Sequence, residues 1–313
     1  MYDLEDTRMT DFHNDAPLNK VSRPSVKRKI KFIDLFAGIG GFHLALHNLG
    51  ATCVFASEWD KNARHTYMHN LQSISPDLFA NNNFVGDITE VNPADIPDFD
   101  ILCAGFPCQP FSQAGFKKGF DEVRGTLFFN IVKIIQEKKP DAFFLENVRH
   151  LLNHDEGKTF EIIKKILEEE LGYSFYHNIV KASDFGLPQL RPRLFMVGFK
   201  NKESKFEFPK PVPLNKTMSD IFGGECDRKI GFTLRVGGKG SSIDDRRNWD
   251  SYRVNGIVKR IDAEHGKAMQ GFPENFRFPV SKVQAMKQLG NSVAVPAIQA
   301  VAASIIKTLN STK

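Results

Sequence analysis

The 313-residue chain is short of several things, and each shortage closes off a class of protein. It has only four cysteines, Cys53, Cys103, Cys108 and Cys226, and no CxxC pair. Neither a disulfide framework nor a cysteine-rich zinc site fits that spacing, and no metal is expected. No uninterrupted apolar run approaches the roughly 20 residues of a membrane span. Acidic and polar residues stand where a signal peptide needs an apolar stretch, so a cytoplasmic protein with no membrane partner is expected. Net charge is small too, +5 from 42 Lys and Arg against 37 Asp and Glu. Spread over the whole chain, that is a weak argument for a nucleic-acid partner. Its placement says more: Lys200 to Asp262 holds fourteen Lys and Arg against nine Asp and Glu, so the whole excess sits in one segment. With 41% hydrophobic and 25% charged residues, the chain is too apolar to be disordered and too mixed to be fibrous.

Residues 1–29 mix acids, bases, Asn and Pro without a hydrophobic period and end in Lys27-Arg28-Lys29, which reads as a disordered extension. From Ile30 short apolar runs alternate with helix-like stretches, as when parallel strands are joined by crossover helices. The alternation predicts an α/β fold with a doubly wound, mostly parallel sheet. Strands are expected at 31–35, 52–57, 101–104, 142–145, 173–180 and 194–199. Helices are expected at 41–49, 61–70, 128–138 and 158–171, the last closed by Gly172. Near Phe206 the pattern breaks at Pro209, Pro211 and Pro213, and a Gly- and Arg-rich segment with little periodicity follows. Helical patterning returns at 283–289 and 295–309. Two domains are expected: 30–205 with 280–313, and a small, mainly irregular or β insert at 206–279.

Four constellations carry candidate chemistry. After the first strand comes Phe36-Ala37-Gly38-Ile39-Gly40-Gly41, a glycine turn that lets backbone approach a ligand at a helix N-terminus, or that simply makes a tight turn. About twenty residues on, Glu58 and Trp59 could take ribose hydroxyls and an adenine, and Asp87-Ile88 adds a further acid. Cys108, in Phe106-Pro107-Cys108-Gln109, follows an apolar strand, where such sheets put active sites; it is either a nucleophile or a small buried hydrophobe. Glu146, at the end of Phe143-Phe144-Leu145, is either an acid of raised pKa or a helix cap. Gln189-x-Arg191-x-Arg193 offers two arginines for phosphate, for a base, or for neighbouring acids.

Taken together with Glu146-Asn147-Val148 and Gly290-Asn291-Ser292-Val293, these motifs stand in the order of the C5-cytosine DNA methyltransferases, and the run from Asp121 through Arg124 to Phe129 matches as well. From Lys31 to Leu309, apart from the basic segment, the chain resembles that family, and within it the small bacterial type II enzymes. The resemblance implies a class I, Rossmann-like S-adenosylmethionine-dependent fold. It implies Cys108 as the nucleophile toward C6 of a flipped cytosine, Glu146 at N3, Arg193 at O2 with Arg191 in support, and Asn147 as a positioning group. It places S-adenosylmethionine against Phe36, Ala37, Gly38, Ile39, Gly40, Gly41, Glu58, Trp59, Asp87, Ile88 and Leu127, with Asn291, Ser292 and Val293 closing the pocket once the last helices pack back.

The same resemblance makes 206–279 the target-recognition domain and 115–124 the mobile catalytic loop. Duplex DNA would meet Ser112, Lys117, Lys118, Arg124, Arg235, Lys239, Ser241, Ser242, Arg246 and Arg247, whose alternative reading is a basic solvated surface. Gly266-Lys267 stands where Ala-Arg is common in the family. A monomer is expected, sharing its target site with a restriction endonuclease without a stable complex. The rivals are a tRNA cytosine-5 methyltransferase, which would usually carry a Cys-Phe-Thr motif absent here, and a catalytically silent DNA-binding subunit, which would be expected to lose Cys108 or Glu146. A NAD-dependent dehydrogenase would share only the glycine turn.

Overall fold

A computed structural model of the protein describes residues 29–107, 126–236 and 242–311. Cys108, Ser112, Lys117, Lys118, Arg124, Lys239 and Ser241 lie outside the described residues, as do 1–28 and the whole of 115–124.

Seven strands make one sheet: β1 (Lys31–Leu35), β2 (Thr52–Ser57), β3 (Phe84–Val85), β4 (Ile101–Gly105), β5 (Ala142–Val148), β6 (Tyr176–Lys181) and β7 (Pro192–Phe199), in the order β3-β2-β1-β4-β5-β7-β6. The first five pair in parallel, while β7 runs antiparallel to both β5 and β6. The connection from Lys181 to Pro192 is too short for a crossover helix, so β7 must return antiparallel. The strand expected from residue 173 starts at Tyr176, because the Tyr173 side chain is buried with its hydroxyl donating to Pro140 O (2.7 Å).

Helices α1 (Gly41–His47), α2 (Lys61–Leu71), α3 (Pro76–Ala80), α4 (Leu127–Lys138) and α5 (Lys158–Lys165) connect the strands. The stretch expected as one helix over 158–171 is α5 followed by a π-helical turn, Ile166–Glu170. Beyond the sheet lie α6 (Met218–Phe222), the hairpin of β8 (Ser251–Val254) and β9 (Ile257–Arg260), α7 (Ala263–Gln270), α8 (Lys282–Asn291) and α9 (Val295–Ser311). The stretch Lys282–Ser311 is long and apolar enough to cross a membrane by length and composition, but 67% of its most apolar window is buried. It is two helices, and α9 packs on α1 and β5 as a core helix.

Strands β1, β2, β4, β5 and β7 alternate between two largely buried faces, so their residues read as apolar runs, whereas edge strand β6 leaves His177, Asn178 and Lys181 exposed. Phe32, Cys103, Ala142, Phe144, Phe195 and Val197 join the core under α1, α9 and the 206–279 segment. Ile33, Leu102, Phe143, Leu145, Leu194 and Met196 join the core with α4 and α5. That parity decides which face receives each polar residue at the strand ends.

Within the first core His43 of α1 is fully buried, its Nδ1 2.6 Å from the Tyr67 hydroxyl and its Nε2 2.8 Å from the Ser75 hydroxyl. Burial pushes its pKa down to about 3. The unfolded chain binds a proton near the ordinary histidine value of about 6.5, which the folded chain refuses. His43 therefore contributes stability above that pH, and the contribution is lost as pH falls toward about 3. Between pH 7 and pH 5 the stability gap between the native chain and His43→Gln, from urea unfolding, should shrink by about 1–2 kcal/mol. A gap that holds constant would show that His43 is not held neutral.

Candidate active site

Strands β1 and β4 are neighbours whose connections leave toward opposite edges of the sheet, which makes the gap beyond their carboxyl ends the topological switch point. The glycine turn and Phe106-Pro107 both open into that gap. Phe36 and Gly38 hold left-handed backbone (φ 56° and 57°), which folds the turn back so that Ala37 N bonds Ser57 O at 2.9 Å. The buried Glu58 carboxylate accepts from Gly38 N (2.7 Å) and Asp60 N (2.8 Å), tying the turn after β1 to the end of β2. Burial raises its pKa, against the pull of those backbone donors. Trp59 beside it is 76% exposed, and a Cβ placed on Gly38 would meet nothing within 4 Å. Asp87 caps the next turn through Thr89 N (2.9 Å) and Thr89 Oγ1 (2.8 Å), with Ile88 buried behind it.

The far wall comes from the C-terminal helices. A Cβ on Gly41 would lie 2.5 Å from Val293 Cγ2, so the second glycine of the pair is what lets Val293 pack against α1. Ser292 and Val293 are buried while Asn291, at the end of α8, is exposed. Open space at Gly38, an uncovered indole and a buried acid form a cradle that fits an adenosine-bearing cofactor. Leu127 opens α4 nearby, capped by Thr126, and Phe128 packs on Phe106 (5.5 Å between ring centroids).

The second cluster sits where β4, β5 and β7 end. By parity Glu146 falls on the face of Phe144, and Arg193 on the face of Phe195; in this antiparallel pair they are diagonal neighbours. Arg193 Nε donates to Glu146 Oε1 at 3.0 Å, both groups nearly buried. Burial drives the Glu146 pKa upward, with Arg193 and Arg191 pulling the other way. Asn147 points to the opposite face, donates to Phe106 O (2.9 Å) and accepts from Val148 N (2.8 Å). It thereby fixes the segment that leads into Cys108.

Arg191 is fully buried and donates to Leu234 O (3.3 Å), Gly290 O (2.9 Å) and Ser292 O. Gln189 works beside it, donating to Met269 O and accepting from Leu234 N, both at 3.0 Å. A Cβ on Gly290 would come 2.6 Å from the backbone of Arg235, so the segment around Arg235 rests directly on α8. The Arg235 side chain is exposed, as are Ser242, Arg246 and Arg247. Arg247 is engaged by Asp245 through Nη2 (2.7 Å) and Nε (3.1 Å), while Asn248 braces the loop through Ser251 O (2.8 Å). Lys267 is buried, donating to Glu274 O (2.7 Å) and Phe276 O (3.3 Å); the neighbouring Gly266 leaves room for Leu289, whose Cδ1 would be 2.9 Å from a Cβ there.

Sequence reading missed Asp60, whose carboxylate caps α2 and meets Lys287 Nζ of α8 at 3.4 Å. An Asp before a helical run signals the cap; nothing local signals a partner so far along the chain. Among the described residues no cluster of His, Cys, Asp and Glu could hold a metal.

This sheet, with its crevice at the switch point, defines a class I S-adenosylmethionine-dependent methyltransferase fold. The family model for C-5 cytosine-specific DNA methylase matches residues 30–247 and 239–307. The Type II methyltransferase M.SsoII of Shigella sonnei is 44% identical over 90% of this chain and 82% of its own length. M.HhaI of Haemophilus parahaemolyticus is 38% identical over 90% and 95%. In structure, the S. pombe Dnmt2 methyltransferase superposes with a TM-score of 0.68 at 20% identity, covering 90% of this chain and all of that one, a likeness of fold. The chain belongs to the C-5 cytosine-specific DNA methylase family, and its methyl donor is S-adenosylmethionine.

Because Arg191 joins three carbonyls from two segments distant in sequence, Arg191→Met should cost about 3 kcal/mol or more in urea unfolding. A loss below about 1 kcal/mol would mean that those carbonyls find other partners.

Proposed function

We propose that the chain methylates C5 of a cytosine flipped out of a short, specific duplex DNA site, through a covalent adduct with Cys108. The observation that carries this reading is the buried Glu146–Arg193 pair beside Phe106, whose carbonyl Asn147 holds one residue before Pro107-Cys108. In the reaction the Cys108 thiolate adds to C6, forming an S–C6 bond and pushing an electron pair toward C5. Glu146 in its protonated form donates to N3, where charge builds, and Arg193 meets O2. C5 takes the electrophilic methyl that S-adenosylmethionine would supply when bound, the methyl–sulfur bond breaking as the new C–C bond forms and S-adenosylhomocysteine being left. The C5 proton then leaves to a base or water, the S–C6 bond breaks, and the thiolate is restored.

Arg191 acts by holding the strand that carries Arg193, and Asn147 by holding the approach to Cys108. The glycine turn (Phe36 to Gly41), Glu58, Trp59, Asp87, Ile88 and Leu127 would line the cofactor, with Asn291, Ser292 and Val293 opposite. Residues 206–279 would read the target, with Arg235, Ser242, Arg246 and Arg247 toward DNA; Arg247 must first leave Asp245. The Type II names of the relatives support a modification enzyme, and the reading adds a restriction endonuclease that shares its site, a monomeric state and action in the cytoplasm.

Bisulfite sequencing of DNA from expressing cells should show new 5-methylcytosine in one sequence context; its absence everywhere would remove the reading. Cys108→Ser should abolish transfer of labelled methyl to duplex DNA while cofactor binding persists. Glu146→Gln should lower kcat by about 10²–10³. Burial raises the Glu146 pKa, so its acid form survives to higher pH than an ordinary carboxyl and declines as pH rises further. The native enzyme should therefore show an alkaline fall in kcat that Glu146→Gln lacks; the same fall in both would assign it elsewhere.

A further inference from the structure

We infer that Arg64, which lies in none of the five motifs, sets the width of the slot that receives the adenosyl half of the cofactor; the inference rests on the cofactor site proposed above. Pairing between β2 and β3 ends at Ser57 and Val85, with Glu58 N reaching Val85 O at 3.2 Å as the last rung. Past that point the chains part. One continues into Glu58-Trp59-Asp60 and the other into Gly86-Asp87-Ile88, the two lips of the slot.

Arg64 projects from α2 across the parting. Its Nη1 donates to Glu58 O at 3.2 Å and its Nη2 to Phe84 O at 3.5 Å, one carbonyl from each chain. The guanidinium carbon stands 4.7 Å from the centroid of the Phe84 ring, which stacks on Tyr67 with centroids 4.4 Å apart and an interplanar angle of 17°. That stack gives the arginine a fixed floor. Nη1 also lies 3.5 Å from where a Cβ on Gly86 would be, so the guanidinium fills the angle between the lips. A planar fork holds two carbonyls at a separation fixed by its own geometry, whereas the rotatable donors of an ammonium at the end of a flexible stem set no such separation.

The consequence falls on Trp59. Its indole is 76% exposed, so its place is set by the backbone that Arg64 pins rather than by packing. Asp87 and Ile88 follow Phe84 by three and four residues and are pinned by the same group. Arg64 is a positioning residue: it shapes the slot through Glu58 and Phe84.

The chain has two tryptophans, Trp59 and Trp249, so a Trp249→Phe background makes Trp59 the sole indole reporter. Fluorescence titration in that background would measure binding of S-adenosylhomocysteine and of methylthioadenosine, which keeps the adenosyl half and lacks the amino acid. Arg64→Met retains the stem and removes the donors, and it should weaken both ligands by the same factor, about tenfold. Arg64→Lys should recover part of that loss, and KM for DNA should stay at its native value in both variants. Unchanged affinity in the variants, or a loss confined to S-adenosylhomocysteine, would overturn the inference. If the Trp249→Phe chain bound neither ligand, the cofactor-site reading would fall first, and the inference with it. Should Arg64→Met fail to fold, Arg64→Lys carries the test, because a purely structural arginine would lower its thermal midpoint and leave affinity unmoved.

Discussion

The structure turns on a single buried cation. Arg191 sits with essentially no exposure, and a guanidinium taken out of water costs several kcal/mol unless its donors are met. Here three backbone carbonyls meet its two Nη groups, at Leu234, at the end of α8 (Gly290) and in the link to α9 (Ser292). The start of β7, the segment around Leu234 and the α8–α9 corner are thus joined at one group. Leu234 lies 43 residues from Arg191 in sequence and the other two carbonyls 99 and 101, and none of them can shift without orphaning a donor or a carbonyl. The glycines follow from the same constraint. Gly290 must be bare because the backbone of Arg235 lies against it, and Gly41 because Val293 does.

From that anchor the alternation of a strand does the rest. Arg193 and Phe195 share a face of β7, Arg191 anchors the chain just before the strand, and the antiparallel register brings Arg193 diagonally to Glu146. A parallel β7 would have carried its carboxyl end, rather than its amino end with the arginines, to this edge of the sheet. The short return from β6 is therefore part of the chemistry. Asn147, one residue on, necessarily faces the other way and cannot touch the same group; its amide serves the Phe106 carbonyl instead. Adjacent residues of one motif are thus split between reacting and positioning roles by the pleat.

Much of this was legible in the sequence, for reasons that also mark the limit. Strands β1 and β2 read at their true bounds because both faces are buried and, apart from Asp34 in β1, their interior residues are apolar. β3 is two residues long and carries no pattern, and the antiparallel sense of β7 leaves no local mark. The β8–β9 hairpin was readable but lost in its Gly- and Arg-rich surroundings: Asn255-Gly256, both at positive φ, is a hairpin turn flanked by Val254 and Ile257. The residues that brace the site were the hardest to find. Lys287 on Asp60, Gln189 on Met269 and Arg64 on Glu58 all act on elements whose proximity only the fold creates. Motifs reveal groups that touch substrate; braces depend on which segments meet.

Glu146 shows how the two kinds of residue depend on each other. A carboxylate 3.0 Å from a guanidinium would ordinarily be held ionised, yet burial outweighs Arg193 and Arg191 and keeps its pKa raised. In the proposed reaction that excess of desolvation over attraction would let one acid both pair with Arg193 in the resting site and hydrogen-bond a base in its protonated form. Arg191 adds the second pull toward the ionised form, after Arg193, and exerts it through space, because its Nη groups are committed to the carbonyls of Leu234, Gly290 and Ser292. The contacts that join β7 to the α8–α9 corner thus also hold the Nη donors of Arg191 away from the Glu146 carboxyl.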